Sequence, residues 1–461
     1  MSEAGETKIA FTNAGSARRY GNGAIFIICV VVIVSVLLYG AVDSGTLALL
    51  SLFTVLLLVY WISVSIKERA LMISANTIQL PLIALFVLGL VQLLPFGGAD
   101  SALPLKISTT LSLDPYATRF FLSRLFLCMI FFAGALTFLN SLAKLRTLAF
   151  VFIVFLTLMA FFSILQRVEL PGSIYGLRAP AQALPFGTFI NRHHFAALME
   201  MSIGLSLGIL FSGELKPNRW PFIGAAAIVM AIAIFLTGSR GGLIGLIASL
   251  VTIAILTAYG RRRTSGNQSI AGISPKMILA AGGVFLIVTI GLVSFLGGAD
   301  PLMRSTGLTS GAGDFSSGRT EFWRTAIKIF LDHPVIGVGL DSFGVAYSIY
   351  DTSSGLFRVE QAHNDYLQIL ADAGIIGFSC IAGFIFLFLK NGLQVVRAST
   401  GFRRGAAIGA MAGCVAIMVH SFFDFPLRTP ANAFVFLALA AMCVVRIPDE
   451  VGKRHHRRKK T

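Results

Sequence analysis

Long apolar segments dominate this chain and restrict the folds open to it more than any other feature. A helix needs about 20 mostly apolar residues to cross the hydrocarbon core of a bilayer, and about twelve such windows can be placed along the sequence. Hydrophobic residues make up 56% of the 461 positions, whereas charged residues make up only 13%. The sequence therefore predicts an all-α polytopic membrane protein.

The predicted spans are separated by polar connections of different lengths. They cover residues 24–42, 46–66, 77–95, 120–139, 145–166, 194–212, 220–237, 240–259, 276–297, 373–390, 404–421 and 431–446. No small-residue cleavage site follows the first span, so we expect a retained anchor rather than a signal peptide. All five cysteines lie inside these windows and are expected to act as small apolar side chains.

The distribution of Lys and Arg predicts the orientation, because short basic loops stay on the cytoplasmic side. Basic residues concentrate in both termini and in alternate connections, the first of which carries Lys67 and Arg69. We expect a cytoplasmic tail at 1–23, a single transmembrane domain at 24–446 and a basic cytoplasmic tail at 447–461. The net charge of +16 fits loops that lie against an anionic leaflet, and no nucleic-acid partner is expected.

The longest polar segment predicted on the outer side covers residues 298–372, between the ninth and tenth spans. Structureless loops of this length are uncommon in folded domains. From Arg319 onward apolar residues recur at helical spacing until Pro334, which should end that helix, and a second helix should begin near His363. We therefore expect a helical cap on the outer side of the membrane domain.

Two arginines are predicted on the outer side, against the topological bias. Arg319 starts the first helix of the cap, where the helix dipole disfavours a cation unless an anion binds there. The alternative is a solvated side chain paired with Glu321 or Asp314. Arg240 joins two apolar helices and should face a water-filled cavity or a partner, with snorkelling to the interface as the alternative. Together the two arginines predict a site for a polyanion.

Other polar residues are open to more than one interpretation. His363 is a candidate proton acceptor, because imidazole suits proton abstraction near neutral pH; the alternative is a residue at a helix start that bonds a neighbour. Glu200, in an apolar window, either lines a cavity or bonds a neighbouring helix. Asp424 and Arg428 are interpreted as solvated loop charges, with glycan contacts as the alternative. No nucleotide-binding or metal-binding motif is present, so neither a cofactor nor a metal is expected.

Five motifs, in this order, resemble those of the O-antigen ligase superfamily, which also contains Wzy-type polysaccharide polymerases. They are GTFINRHHFAALMEM at 187–201, TGSRGGLIG at 237–245, GRTEFWRTAIKIFLDHPVIGVGLDSF at 318–343, HNDYLQILADAGIIG at 363–377 and HSFFDFPLRTPAN at 420–432. The resemblance covers roughly residues 187–446. Where many relatives read N-R-N-H-F-A, this chain has His193 in the third position, so a specific role for that position does not carry over.

The resemblance implies a membrane glycosyltransferase of the GT-C type that transfers a glycan from undecaprenyl diphosphate to an acceptor hydroxyl on the periplasmic face, without a metal and with inversion. It implies that Arg240 and Arg319 compensate the charge of the donor diphosphate and that His363 takes the acceptor proton. The residues expected to contact substrate are Asn191, Arg192, His194, Asn364 and Tyr366.

The acceptor is left open by the residues. A ligase would use lipid A core or another acceptor for O-antigen, and this reading is preferred; a polymerase would use a second lipid-linked repeat of O-antigen or exopolysaccharide. A transporter or lipid flippase is the alternative from another class, because a similar number of spans suits that function too.

Overall fold

The computed structural model describes residues 16–96, 110–181, 183–212, 215–261, 280, 282–285, 287–291, 319–351 and 358–447. Across these residues the chain is helical, and extended pairing is confined to two isolated bridges, at 174–178 and 186–189. The all-α prediction is therefore confirmed for the described part of the chain.

The principal helices follow the predicted windows closely. In chain order they are α1 (Ser16–Leu37), α2 (Ser44–Lys67), α3 (Leu80–Gln92), α4 (Pro115–Phe138), α5 (Leu142–Glu169), α6 (Arg192–Leu210), α7 (Trp220–Thr237), α8 (Arg240–Arg261), α9 (Arg319–Asp332), α10 (Phe343–Tyr350), α11 (Asp365–Ala398), α12 (Gly401–His420) and α13 (Pro430–Val444).

Nine helices among the described residues are long and apolar enough to cross a membrane. Three predicted windows, at 77–95, 276–297 and 431–446, correspond to shorter apolar helices, and the second of these lies largely outside the described residues. The protein is therefore a multi-pass membrane protein, whereas the number of twelve spans stays a prediction.

Helices α6 and α12 lie at the centre of the bundle and are the two most buried spans. They approach closely because glycines face each other: a Cβ added at Gly208 would lie 2.2 Å from the Gly409 Cα, and one added at Gly204 would lie 2.5 Å from the Gly413 nitrogen. Small residues at such spacing let helix backbones touch inside a membrane. This contact fixes the helices that carry residues of the candidate site.

The predicted cap is formed by α9, α10 and the first turns of α11. The apolar face of α9, with Ala326 and Ile329, packs on Phe343 and Tyr347 of α10. Helix α9 ends at Asp332, just before Pro334, as its sequence predicts. The cap is thus a small helical unit with its own apolar cluster.

Helix α11 joins the cap to the membrane domain. It begins at Asp365, two residues later than predicted, because the Asn364 side chain accepts hydrogen bonds from two backbone N–H groups of the first turn and so caps the helix. The helix bends at Gly374, whose φ of 60° and ψ of −160° are outside the helical region. Only glycine fits there, since an added Cβ would lie 2.4 Å from the Val335 carbonyl oxygen.

Candidate active site beneath the cap

A short turn between α12 and α13, at 421–429, carries the central residue of the site. Asp424 in this turn has a side chain only 2% exposed. One of its carboxylate oxygens accepts a hydrogen bond from the Phe425 backbone N–H at 3.0 Å. The cap therefore covers a carboxylate that the sequence places in a loop.

His363 contacts this carboxylate directly. Its Nδ1 lies 3.0 Å from the Asp424 Oδ1, and its ring lies between Phe425, edge-on at 4.9 Å, and Phe322, stacked at 6.0 Å. The backbone φ of His363 is +51°, which is unusual for a residue other than glycine and costs of order 1–3 kcal/mol. The side chain remains 30% exposed, so it is oriented by the fold yet open to a second reactant.

Arg319 is the third member of this group, which we call the His363 cluster (His363, Asp424 and Arg319). One guanidinium nitrogen donates to the Phe423 carbonyl oxygen, and another lies 3.9 Å from the Asp424 Oδ2. A pairing with Glu321 is therefore wrong, and Asp314 lies outside the described residues. The structure brings together two of the three residues predicted to carry the chemistry.

The charge of Asp424 is set by its surroundings. Burial alone would raise the pKa of this carboxyl group, but the hydrogen bond with His363 and the nearby His193, His194 and Arg319 outweigh burial and lower it. Asp424 is therefore an ionised carboxylate beneath the cap.

Arg240, the third residue predicted to carry the chemistry, starts α8 close to the same place. The residue before it, Ser239, has its hydroxyl 2.9 Å from the Nδ1 of His193 and also caps α8 through the Gly242 N–H. The residue after it, Gly241, packs against the ring of His420, four positions before Asp424. Arg240 itself is half-buried. The start of α8 thus adjoins the elements that hold the His363 cluster.

The residues predicted to contact substrate have structural partners. Asn191 caps α6 through the His193 N–H, and Arg192 is the first residue of that helix. His194 is buried, with its Nδ1 2.6 Å from the Thr429 hydroxyl. Contact of these residues with substrate stays a prediction.

The remaining two predicted contact residues flank Asp365 at the start of α11. Asn364 is the cap described above, and its side chain is buried. The Tyr366 hydroxyl donates to the Met418 carbonyl oxygen at 2.8 Å, and its ring packs on Phe422. Tyr366 also lines an apolar cavity, and its contacts hold α11 against α12. Contact of Asn364 and Tyr366 with substrate stays a prediction.

A second charged group lies at the other end of the 421–429 turn. Arg428 pairs with Asp341 of the cap and with Asp372 of α11 at 2.8 Å, and Arg124 of α4 pairs with Asp341 at 2.5 Å. Asp365 is 3.9 Å from Arg428. We call these five residues the Arg428 cluster. Its side chains are mostly buried, so the interpretation of Asp424 and Arg428 as solvated loop charges is wrong.

An apolar cavity of about 230 Å³ opens beside the Arg428 cluster. It lies between α2, α3, α4, α11, α12 and α13 and extends along α11 from Asp365 to Ile385. Its polar end is formed by Arg124, Asp365, Ser421 and Arg428, a few positions from His363 and Asp424. The cavity suits an aliphatic chain.

Two further observations bear on the chemistry. Glu200 of α6 lies 3.2 Å from the Nδ1 of His420 on α12, so of the two alternatives for Glu200 it takes the bond to a neighbouring helix. Among the residues that the structure describes, no group of three or more His, Cys, Asp and Glu side chains is placed to hold a metal ion.

Residues 225–382 match the protein-family model described as O-antigen ligase. This match over part of the chain supports membership of the O-antigen ligase superfamily. The matched region runs from α7 into α11 and includes Arg240, Arg319 and His363. No curated protein sequence matches the chain.

The sequence analysis did not predict that Asp424 and Arg428 are buried and paired with other charged residues. A signal was available: Asp424 stands among Phe422, Phe423 and Phe425, which is not the composition of a solvated loop. A carboxylate with three aromatic neighbours in sequence indicates a buried and paired charge.

Proposed function

We propose that the protein is a membrane glycosyltransferase of the O-antigen ligase type, which transfers a glycan from undecaprenyl diphosphate to an acceptor hydroxyl on the periplasmic face of the inner membrane. The observation that carries this proposal is the contact of His363 with the buried, ionised Asp424, beside Arg319. Membership of the O-antigen ligase superfamily supports the reaction class.

His363 is proposed as the general base. An ionised Asp424 at Nδ1 favours the tautomer with the proton on that nitrogen, which leaves Nε2 to accept a proton. Within the described residues Nε2 has no hydrogen-bond partner, and the side chain is partly exposed. An acceptor hydroxyl can therefore transfer its proton to Nε2 as its oxygen attacks the sugar C1.

The diphosphate leaves as that bond forms. The C1–O bond to the donor phosphate breaks, its electron pair stays on the diphosphate, and attack from the opposite side inverts the anomeric centre. Arg319 and Arg240 are proposed to compensate the charge that develops on the leaving oxygen. Arg319 also begins α9, so the free N–H groups of that helix can add their dipole.

The lipid chain of the donor is assigned to the apolar cavity. From Asp365 to Ile385 the cavity follows about 20 residues of α11, which corresponds to about 30 Å of straight helix before the bend at Gly374 is considered. This length is close to that of the hydrocarbon core of a bilayer.

The orientation and the GT-C assignment belong to the same proposal. Basic segments at both termini favour a cytoplasmic location for the ends of the chain. The His363 cluster lies at the end of the bundle formed by the C-terminus of α12 and the N-terminus of α13, which is then the periplasmic end. A GT-C enzyme of this orientation has access to lipid-linked donors and not to nucleotide sugars.

A Wzy-type polymerase would use the same residues and differ only in its acceptor. The description of the matched family favours the ligase. Glycan length in a deletion strain separates the two, because a missing polymerase leaves single-repeat chains and a missing ligase leaves long unattached chains.

The proposal is tested with purified protein in proteoliposomes that contain undecaprenyl-diphosphate-linked glycan and the acceptor. We expect a new glycosidic bond and release of undecaprenyl diphosphate. Movement of labelled donor across the bilayer without bond formation would contradict the proposal and favour a flippase.

A further inference from the structure

A buried pair of ionisable side chains lies next to the candidate site and takes no part in the proposed transfer. Glu200 Oε1 is 3.2 Å from His420 Nδ1, and the two side chains are 0% and 1% exposed. The second carboxylate oxygen of Glu200 has no hydrogen-bond partner among the described residues. Such groups are costly inside a membrane domain and commonly mark a functional position.

Helix α8 packs directly on this pair through two glycines. A Cβ added at Gly241 would lie 2.4 Å from His420 Cδ2, and one added at Gly245 would lie 2.2 Å from Glu200 Oε2. The two glycines are one turn apart and so lie on the same face of α8. The pair therefore sets how closely α8 approaches α6 and α12.

Two of these three helices, α8 and α12, lead into residues of the site close to the pair. Arg240 directly precedes Gly241 at the start of α8. The His420 carbonyl oxygen accepts from the backbone N–H of Phe423 at 2.8 Å and of Asp424 at 3.2 Å, so His420 begins the turn that carries Asp424. A shift of the pair would therefore move both Arg240 and the turn that carries Asp424.

We infer that Glu200 and His420 are positioning residues for the anion site, which fix Arg240 at the start of α8 relative to the turn that carries Asp424. This inference rests on the function proposed above and deepens it. Neither side chain needs to contact the substrate. The hydrogen bond between the two side chains holds α6 and α12 together. A glutamine at position 200 can also form this bond, because its amide can donate a hydrogen bond to imidazole or accept one from it.

The test compares four variants: Glu200→Gln, Glu200→Met, Gly241→Ala and Gly224→Ala. Gly224 of α7 is the control, because a Cβ added there meets no atom within 4 Å. Binding of undecaprenyl diphosphate and the transfer rate are measured separately, together with thermal unfolding. We expect Gly241→Ala and Glu200→Met to bind the lipid about 10- to 100-fold more weakly, since small displacements of binding groups have effects of this size. Glu200→Gln and the control should bind as the wild type does.

Two outcomes would overturn the inference, and a third would contradict the proposed function. If Glu200→Met and Gly241→Ala lose thermal stability but keep wild-type affinity, the pair is only a structural contact. If Gly241→Ala does not fold, the two Glu200 variants decide whether the pair has a positioning role. Equal affinities of Glu200→Met and Glu200→Gln for undecaprenyl diphosphate would overturn the inference. If the wild-type protein binds no undecaprenyl diphosphate, the proposed function itself is contradicted. This result can be distinguished from failure of the positioning role, because it concerns the wild type and not the variants.

Discussion

The two charged groups of the 421–429 turn lie four residues apart and differ in their balance of charge. In the His363 cluster one buried carboxylate, Asp424, faces a histidine and an arginine, and further basic residues start the neighbouring helices. In the Arg428 cluster two guanidinium groups face three carboxylates. The first group can accept an added anion, whereas the second already contains more carboxylates than guanidinium groups and joins the cap to the bundle. The difference separates a site for a substrate from a structural joint.

The largest effect is expected for His363→Ala. Removal of a general base lowers the rate by about 10²- to 10⁴-fold, and the transfer assay should show a loss of this size with binding of the donor lipid retained. His333→Ala is the matched control, because His333 is an exposed histidine of the same cap. Transfer by the His363 variant at the wild-type rate would remove this residue from the mechanism.

Arg428→Met should break the structural joint. The substitution removes the buried cation that pairs with Asp341, Asp365 and Asp372. Loss of one partner from such a group lowers the free energy of unfolding by about 3–5 kcal/mol. Thermal or denaturant unfolding in detergent should show this loss, while Arg324→Met, at an exposed position of α9, should not. A stable Arg428 variant with weakened donor binding would reverse the roles assigned to the two clusters.

Arg319→Ala should show the opposite behaviour to Arg428→Met. Charge-assisted hydrogen bonds contribute about 1.5–3 kcal/mol, so we expect donor affinity to fall about 10- to 100-fold. Unfolding should change little, because Arg319 is partly exposed. Arg324→Ala on the same helix serves as the control, and equal affinities of the two variants would show that Arg319 does not contact the diphosphate.

Asp424→Asn should change how the free energy of unfolding depends on pH. The folded-state pKa of Asp424 is lowered below the unfolded value of about 3.9. Its carboxylate therefore stabilises the fold above that pH, and this contribution is lost as the pH falls towards the folded-state pKa. The difference in unfolding free energy between wild type and variant should shrink from about pH 5 to about pH 3. Glu321→Gln, an exposed change on α9, is the control; a difference that stays constant would show that Asp424 is not an ionised partner.

Tyr366→Phe should have the smallest effect. It removes the hydrogen bond to the Met418 carbonyl oxygen, which is expected to lower the unfolding free energy by about 0.5–1.5 kcal/mol. Transfer should remain close to that of wild type, as in the exposed control Tyr116→Phe. A large loss of transfer with normal stability would show instead that Tyr366 contacts the substrate, as its motif predicts.

Much of the fold was predictable because its main signals are local. Apolar windows of bilayer length gave the spans, and the helical spacing before Pro334 gave α9. His363 and Arg319 were also recognised as candidate site residues, since their motifs are unusual in an apolar chain. In each case the residues that carry the signal lie within one turn or one helix of each other.

The partners of these residues were not predictable in the same way. Asp424 contacts His363 across 61 positions, and Arg428 contacts Asp341 across 87. Their burial depends on the cap folding back over the turn, which hydropathy and spacing do not encode. The positive φ of His363 and of Asp341 likewise results from these long-range contacts rather than from local preference.

The account is tested most directly by a structure of the protein with bound undecaprenyl diphosphate. We predict that the diphosphate lies against the Arg319 guanidinium, with His363 Nε2 facing the sugar-bearing side, and that the prenyl chain follows α11 in the apolar cavity. A diphosphate bound against the Arg428 cluster, or at the opposite end of the bundle near Arg69, would contradict it.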